Sequence, residues 1–206
     1  MIKIQKSRLL LSSLFLLMVF MCIAWADTWE GIKGAAASIT SVKAEFVQQK
    51  HMAILVQPLV SKGVFYFRTP SSLRWEYTTP VQSILLMHDG RVKRYIKRNG
   101  AIFEDASAHL QSMQVIIQDI ARWLNGRFDE NPAFSARLDP DRKIVLRPKE
   151  KSLAAFIQRI ELLLSDQPGV IEAVTIYEGE SSYTRLDFKN VVLNQTLLDS
   201  IFREIS

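Results

Sequence analysis

Short stretches in which apolar and polar residues alternate, each closed by a turn signal, constrain this chain more than any other feature. In an extended strand successive side chains point to opposite faces, so alternation marks a strand with one face buried. Val42, Ala44 and Phe46 alternate with Lys43 and Glu45, and the sheet is expected to start there. Further strands are expected at residues 62–68, 73–78 and 82–88, separated by Thr69-Pro70-Ser71-Ser72 and Thr79-Pro80, so proline stays in the turns. Asp89-Gly90 and Asn99-Gly100 suit tight hairpins because these residues tolerate positive φ. Strand signals return at residues 143–147, 158–164, 170–177 and 182–193. The fold class expected from this pattern is mainly β with helices (α+β), with the strands antiparallel.

Three stretches break the alternation. Asp27 or Thr28 can cap a short helix running to Ile39, which Gly31 and Gly34 each weaken by roughly 1 kcal/mol. Over residues 108–125, Leu110, Met113, Ile117, Ile120 and Leu124 recur at three- and four-residue spacing, drawing one apolar stripe along a helix that Gly126 ends. A short helical turn is expected at residues 197–202. No internal repeat or linker divides the chain, so residues 27–206 read as one domain.

The N-terminus differs in kind. Lys3, Lys6 and Arg8 precede an apolar run at residues 9–23 and then Ala24-Trp25-Ala26, the three-part form of a secretory signal cleaved after Ala26. The alternative is an uncleaved anchor, since the run approaches the length that spans a bilayer. Loss of residues 1–26 lowers the net charge from +5 to +2, with 23 basic against 21 acidic residues. Cys22 goes with them, leaving 180 residues without a thiol. That composition excludes disulfide frameworks, cysteine nucleophiles and thiolate metal sites, and it fits a Gram-negative periplasm.

The usual signatures of chemistry are missing. None of His51, His88 and His109 has a second histidine or a carboxylate at i+3 or i+4 on a shared face, and neither a Gly-x-Ser-x-Gly elbow nor a Gly-rich phosphate loop occurs. Glu178 and Glu180 flank Gly179 in what reads as a solvated hairpin turn. The basic stretch Arg91, Lys93, Arg94, Lys97, Arg98 suits an anionic lipid surface or acidic partner better than nucleic acid; the plainer reading is a solvated strand whose lysines protect an edge. The positive signal is apolar surface. Phe65 and Phe67 share one face of a strand, and Leu73, Trp75 and Tyr77 share a face opposite Arg74 and Glu76. Periodicity alone favours packing these surfaces into a solid core.

An ordered set of short motifs changes that balance. It comprises Val42-Lys-Ala-Glu-Phe46-Val-Gln48, Pro58-Leu-Val-Ser-Lys-Gly63, Phe65-Tyr-Phe-Arg68-Thr-Pro70, Leu73-Arg74-Trp75-Glu-Tyr77 and Asp89-Gly90, with a weaker echo in Val145-Leu-Arg-Pro148-Lys149 and from Phe188 to Phe202. This set resembles the LolA-like outer-membrane lipoprotein carriers over nearly all of residues 27–206. The resemblance implies an incomplete antiparallel β-barrel with helices covering an apolar cavity. It also implies a periplasmic, monomeric, non-enzymatic carrier without a cofactor or nucleic-acid partner. Such a carrier takes acylated lipoproteins from an inner-membrane ATP-driven release transporter and passes them to an outer-membrane acceptor. A periplasmic lipoprotein sensor, or a carrier of another lipid with the same fold, is the alternative.

By the same resemblance, Phe46, Phe65, Phe67, Leu73, Trp75 and Tyr77 form the cargo-binding face, and Leu110, Met113, Ile117, Ile120 and Leu124 the lid helix. Better-known members carry a lid-latching arginine immediately before the proline of the strand turn. Here that residue is Thr69, with Arg68 one step earlier, so both are latch candidates. Strand alternation puts Arg68 on the other face, which favours a lid held by its apolar stripe alone.

Overall fold

The last strand of this chain pairs with its first, so a meander leaves the middle of a sheet, reaches one edge, crosses to the other edge and returns. The computed structural model describes residues 28–105 and 109–205, and for residues 109–116 the backbone alone. The expected signal segment, residues 1–26, lies outside the described residues. Helix α1 (Trp29–Ala37) leads into strands β1 (Ser41–His51), β2 (Leu59–Arg68), β3 (Ser72–Thr79), β4 (Ser83–His88), β5 (Arg91–Arg98) and β6 (Ala101–Glu104). Helix α2 (His109–Leu124) crosses to β7 (Phe134–Asp139) and β8 (Lys143–Pro148). The short helix α3 (Lys151–Ala154), then β9 (Arg159–Leu164), β10 (Ile171–Tyr177), β11 (Tyr183–Leu193) and a 3-10 turn (Asp199–Phe202) complete the order. All eleven strands form one antiparallel sheet, β6-β5-β4-β3-β2-β1-β11-β10-β9-β8-β7, which is not closed.

Local sequence accounts for most boundaries. Asp89 and Gly90, at φ 49° and 73°, and Asn99 and Gly100, at φ 51° and 80°, turn the hairpins on either side of β5. Thr28 caps α1 by accepting a hydrogen bond from the Gly31 amide at 3.2 Å. Gly126, at φ 74°, ends α2, and a Cβ there would strike the Lys33 carbonyl of α1.

Some elements depart from expectation. β2 starts at Leu59 rather than residue 62, because residues 59–61 complete the pairing with the long β1. β7 and α3 lack strong sequence signals. Six residues with three polar positions make β7, an edge strand that takes its structure from β8. β5, expected as a basic strand guarding an edge, is paired on both sides; the edge is β6.

The two ends of the sheet differ. Around the α1 end, Ile32 and Ala36 are buried with Ile39, Phe128, Leu164 and Val170, and Trp29 lies 6.2 Å from Phe128 ring to ring. A Cβ at Gly169, in the β9–β10 turn at φ 76°, would collide with the Ala36 backbone, so α1 sits directly on that turn. The opposite end, formed by the β1–β2, β3–β4, β5–β6 and β10–β11 turns, has no helix over it of comparable length among the described residues.

Candidate functional site: an apolar cavity with a charged mouth

Gly63 of β2 lies where the wall packs most closely. A Cβ there would overlap the Phe46 ring and the Glu76 carbonyl, so glycine lets Phe46 of β1 lie across β2. Phe46 then meets Trp75 at 5.3 Å and Tyr77 at 5.1 Å, both edge to face. Phe65 adds an edge-to-face contact with Trp75 at 5.3 Å and a tilted one with Phe188 at 5.7 Å. This aromatic sheet face does not fill the interior. It walls a cavity of about 490 Å³, within the usual range for small-molecule sites.

Four sets of side chains enclose it: Phe65, Trp75, Tyr77 and Leu85 from β2 to β4; Ile171, Val174 and Ile176 from β10; Leu186 and Phe188 from β11; Ile117, Ile120, Trp123 and Leu124 from α2. Strands far apart in the sheet share one space, so the sheet curls around it and α2 supplies a further wall. The lining turns polar towards the end away from α1, where Gln48, Lys50, Ser61, Glu178 and Thr184 join Pro80 and Val81. There Lys50 Nζ sits 3.0 Å from Glu178 Oε2, and the Thr184 hydroxyl donates to Glu178 Oε1 at 3.5 Å. The Tyr77 hydroxyl donates to Gln48 Oε1 at 2.7 Å. Burial pushes the Tyr77 phenol up to about 12 against the opposing charge of Arg94, so it stays a protonated donor. Arg94, in the basic strand β5, also lines the cavity and pairs with Asp105 at 3.3 Å.

Of the six residues expected on the cargo face, Phe65, Trp75 and Tyr77 line the cavity. Phe46, Phe67 and Leu73 are buried behind or beside it as packing. Ile117, Ile120 and Leu124 of the expected lid line it, whereas the side chains of Leu110 and Met113 lie outside the described residues. The β10 and β11 residues had no place in the sequence reading, although Val174, Ile176, Leu186 and Phe188 alternate along their strands. Period two assigns a face, but it does not say which face borders empty space.

Among the described residues, the hydrogen bonds of the two latch candidates lie away from α2. Arg68 donates to the Leu197 carbonyl at 2.9 Å and to Asp199 at 2.5 Å, on the outer face of the sheet, and its guanidinium lies 4.9 Å from the Phe202 ring centre. That charge holds the Asp199 carboxyl below its usual range. The Thr69 amide donates to the Thr40 carbonyl at 3.0 Å. The tie between α2 and the β2–β3 turn comes from Asn125, whose amide donates to the Pro70 carbonyl at 2.9 Å and to the Ala121 carbonyl at 2.6 Å. Midway along α2, buried Asp119 accepts from Asn131 at 2.7 Å and pairs with Arg122. Arg74, expected on a plain outer face, is buried beneath the C-terminal segment and donates to the Ile201 and Glu204 carbonyls at 3.0 and 2.6 Å.

Among the described residues, no group of three or more His, Cys, Asp or Glu is placed to hold a metal ion. Against known families, residues 37–204 match the model of the outer membrane lipoprotein carrier protein LolA. The chain belongs to the LolA family. Proteins of the LolA superfamily are carriers or binding proteins. No curated protein matches its sequence. Similar solved structures include a DUF1329 family protein from Desulfovibrio piger, at 9% identity and a TM-score of 0.44, covering 84% of this chain and 95% of that one. A LolA superfamily protein from Nitrosomonas europaea is 12% identical with a TM-score of 0.41, covering 86% and 98%. Pseudomonas aeruginosa MucB, in its complex with MucA, is 14% identical with a TM-score of 0.42, covering 84% and 58%. At such scores the LolA assignment rests on the sequence match. No described helix is long and apolar enough to cross a membrane.

Proposed function

We propose that this LolA-family chain is a periplasmic carrier that takes the acyl chains of lipoproteins released from the inner membrane and delivers them to the outer membrane. The observation that carries the reading is the 490 Å³ apolar cavity, open beside the Lys50–Glu178 pair, in a chain of this family. A lipoprotein anchor cannot cross water uncovered, since each exposed methylene costs about 0.8 kcal/mol. A wall of Phe65, Trp75, Leu186 and Phe188 offers the acyl chain a dry alternative, while the polar mouth suits the peptide that stays in water. Residues 1–26 act in this reading as the cleaved export signal, residues 27–206 as one carrier domain, and the working form is a monomer. Its partners are an ATP-driven transporter at the inner membrane and an acceptor at the outer membrane.

The test is mass spectrometry of what copurifies from the periplasm, followed by transfer of an acylated lipoprotein from the loaded protein to outer-membrane vesicles. Copurifying lipoprotein that is handed over supports the carrier. Tight cargo that is never released points to a sensor, and cargo without a lipoprotein peptide points to a carrier of another lipid.

A further inference from the structure

The β1–β2 connection exposes an unusual amount of apolar side chain. Val56 is 102% exposed and Ile54 83%, with Leu59 at 55%, Val60 at 44% and Leu55 at 39%. Single exposed apolar residues are ordinary, but five within seven positions at the tip and root of one hairpin form a patch. The strand register places this hairpin at the cavity mouth: Lys50 pairs with Leu59 and Gln48 with Ser61, and Gln48, Lys50 and Ser61 line the opening. Val81, 59% exposed in the β3–β4 turn, stands on the same rim.

The charge around this rim is one-sided. Lys62, Lys97 and Arg98 are exposed at the ends of strands that reach it, and Lys149 and Lys151 are exposed just past the end of β8, against exposed Glu150 and Glu180; Glu178 is occupied by Lys50. A projecting apolar tip surrounded by cations matches an anionic bilayer, in which hydrocarbon lies beneath a layer of negative headgroups. At the tip Val56 is fully exposed, so its whole side chain is available to the hydrocarbon layer.

We propose that the β1–β2 hairpin docks the protein on anionic membrane surfaces, with Ile54 and Val56 inserted among the acyl chains and Lys62, Lys97 and Arg98 at headgroup level. In this pose the cavity mouth faces the membrane, and an acyl chain passes between bilayer and cavity without crossing open water. That use for the surface rests on the carrier reading; the docking itself does not.

The experiment is cosedimentation of the protein with phosphatidylcholine vesicles and with vesicles containing phosphatidylglycerol, alongside uptake of a fluorescent fatty-acid probe in vesicle-free buffer. Wild-type protein is expected to bind the anionic vesicles, and to bind them less as salt rises. The double variant I54D/V56D should lose about tenfold in vesicle affinity while probe uptake stays unchanged, because neither residue lines the cavity. K97Q/R98Q should weaken binding to anionic vesicles and flatten its salt dependence. Vesicle binding equal in wild type and I54D/V56D, or absent in wild type, overturns the proposal. A wild-type dimer that I54D/V56D converts to monomer, without any vesicle binding, overturns it in favour of self-association. Vesicle binding without probe uptake supports the docking surface and refutes the carrier reading.

Discussion

The two ends of the curled sheet are built on opposite terms. At the α1 end, Gly126 and Gly169 allow backbones to touch, Ile32 and Ala36 are buried, and Trp29 and Lys33 both donate to Asp129 at 3.3 Å. At the mouth, polar groups line the opening and apolar side chains face outwards, the reverse of ordinary burial. The difference shows where stability and exchange reside: one end resists opening because its contacts are backbone-close, while the other gives up packing to keep a passage.

The strongest way to break the comparison is to force the closed end apart. Gly169→Val places a side chain into the Ala36 backbone at positive φ and should cost about 4 kcal/mol in urea unfolding. Gly100→Ala, at a hairpin tip by the mouth with open space around its Cβ, should cost about 1 kcal/mol through φ alone. Comparable losses at the two sites would abolish the distinction between the ends.

The C-terminal segment sharpens it next. Arg74→Ala strands the Ile201 and Glu204 carbonyls and leaves Glu76 without its 2.8 Å partner, a loss of about 2 kcal/mol that also exposes residues 197–205 to protease. Arg68→Ala, whose partner Asp199 is solvent-exposed, should do less by both measures. A smaller effect belongs to Asn125→Ala. Loss of its bond to the Pro70 carbonyl should cost about 1 kcal/mol and speed exchange of a bound acyl probe, read by stopped-flow fluorescence. Unchanged exchange would mean that the apolar contacts of Ile117, Ile120 and Leu124 hold α2 by themselves.

The smallest expected effect is a titration at the polar wall. Because burial raises Tyr77 from 10.0 to about 12, the fold favours the neutral phenol. That contribution is whole below pH 10 and is lost as pH rises from 10 to about 12. Absorbance titration should show a late-ionising tyrosine that Tyr77→Phe removes.

Much of this molecule is legible in the order of its residues. Alternation at Val42, Ala44 and Phe46, the Asp89-Gly90 and Asn99-Gly100 turns, and the stripe ending at Leu124 all depend on neighbours a few positions away, and each became the expected element. Strand β7 was not legible because an edge strand depends on its partner more than on its own six residues. The site divides in the same way. Trp75 and Tyr77 could be placed on the inward face of β3, since period two is a local property. Only the curl of the sheet decided that Val174 would line the same cavity, that Phe188 would meet Trp75 ring to ring at 6.5 Å, and that Phe67 and Leu73 would be packed away. The C-terminal partners of Arg68 and Arg74 lie 127 to 131 positions along the chain, beyond any periodic signal. Sequence by itself determined which residues turn inwards; long-range pairing of β1 with β11 and the crossing of α2 decided which of them enclose space, because a cavity belongs to surfaces that meet only after folding.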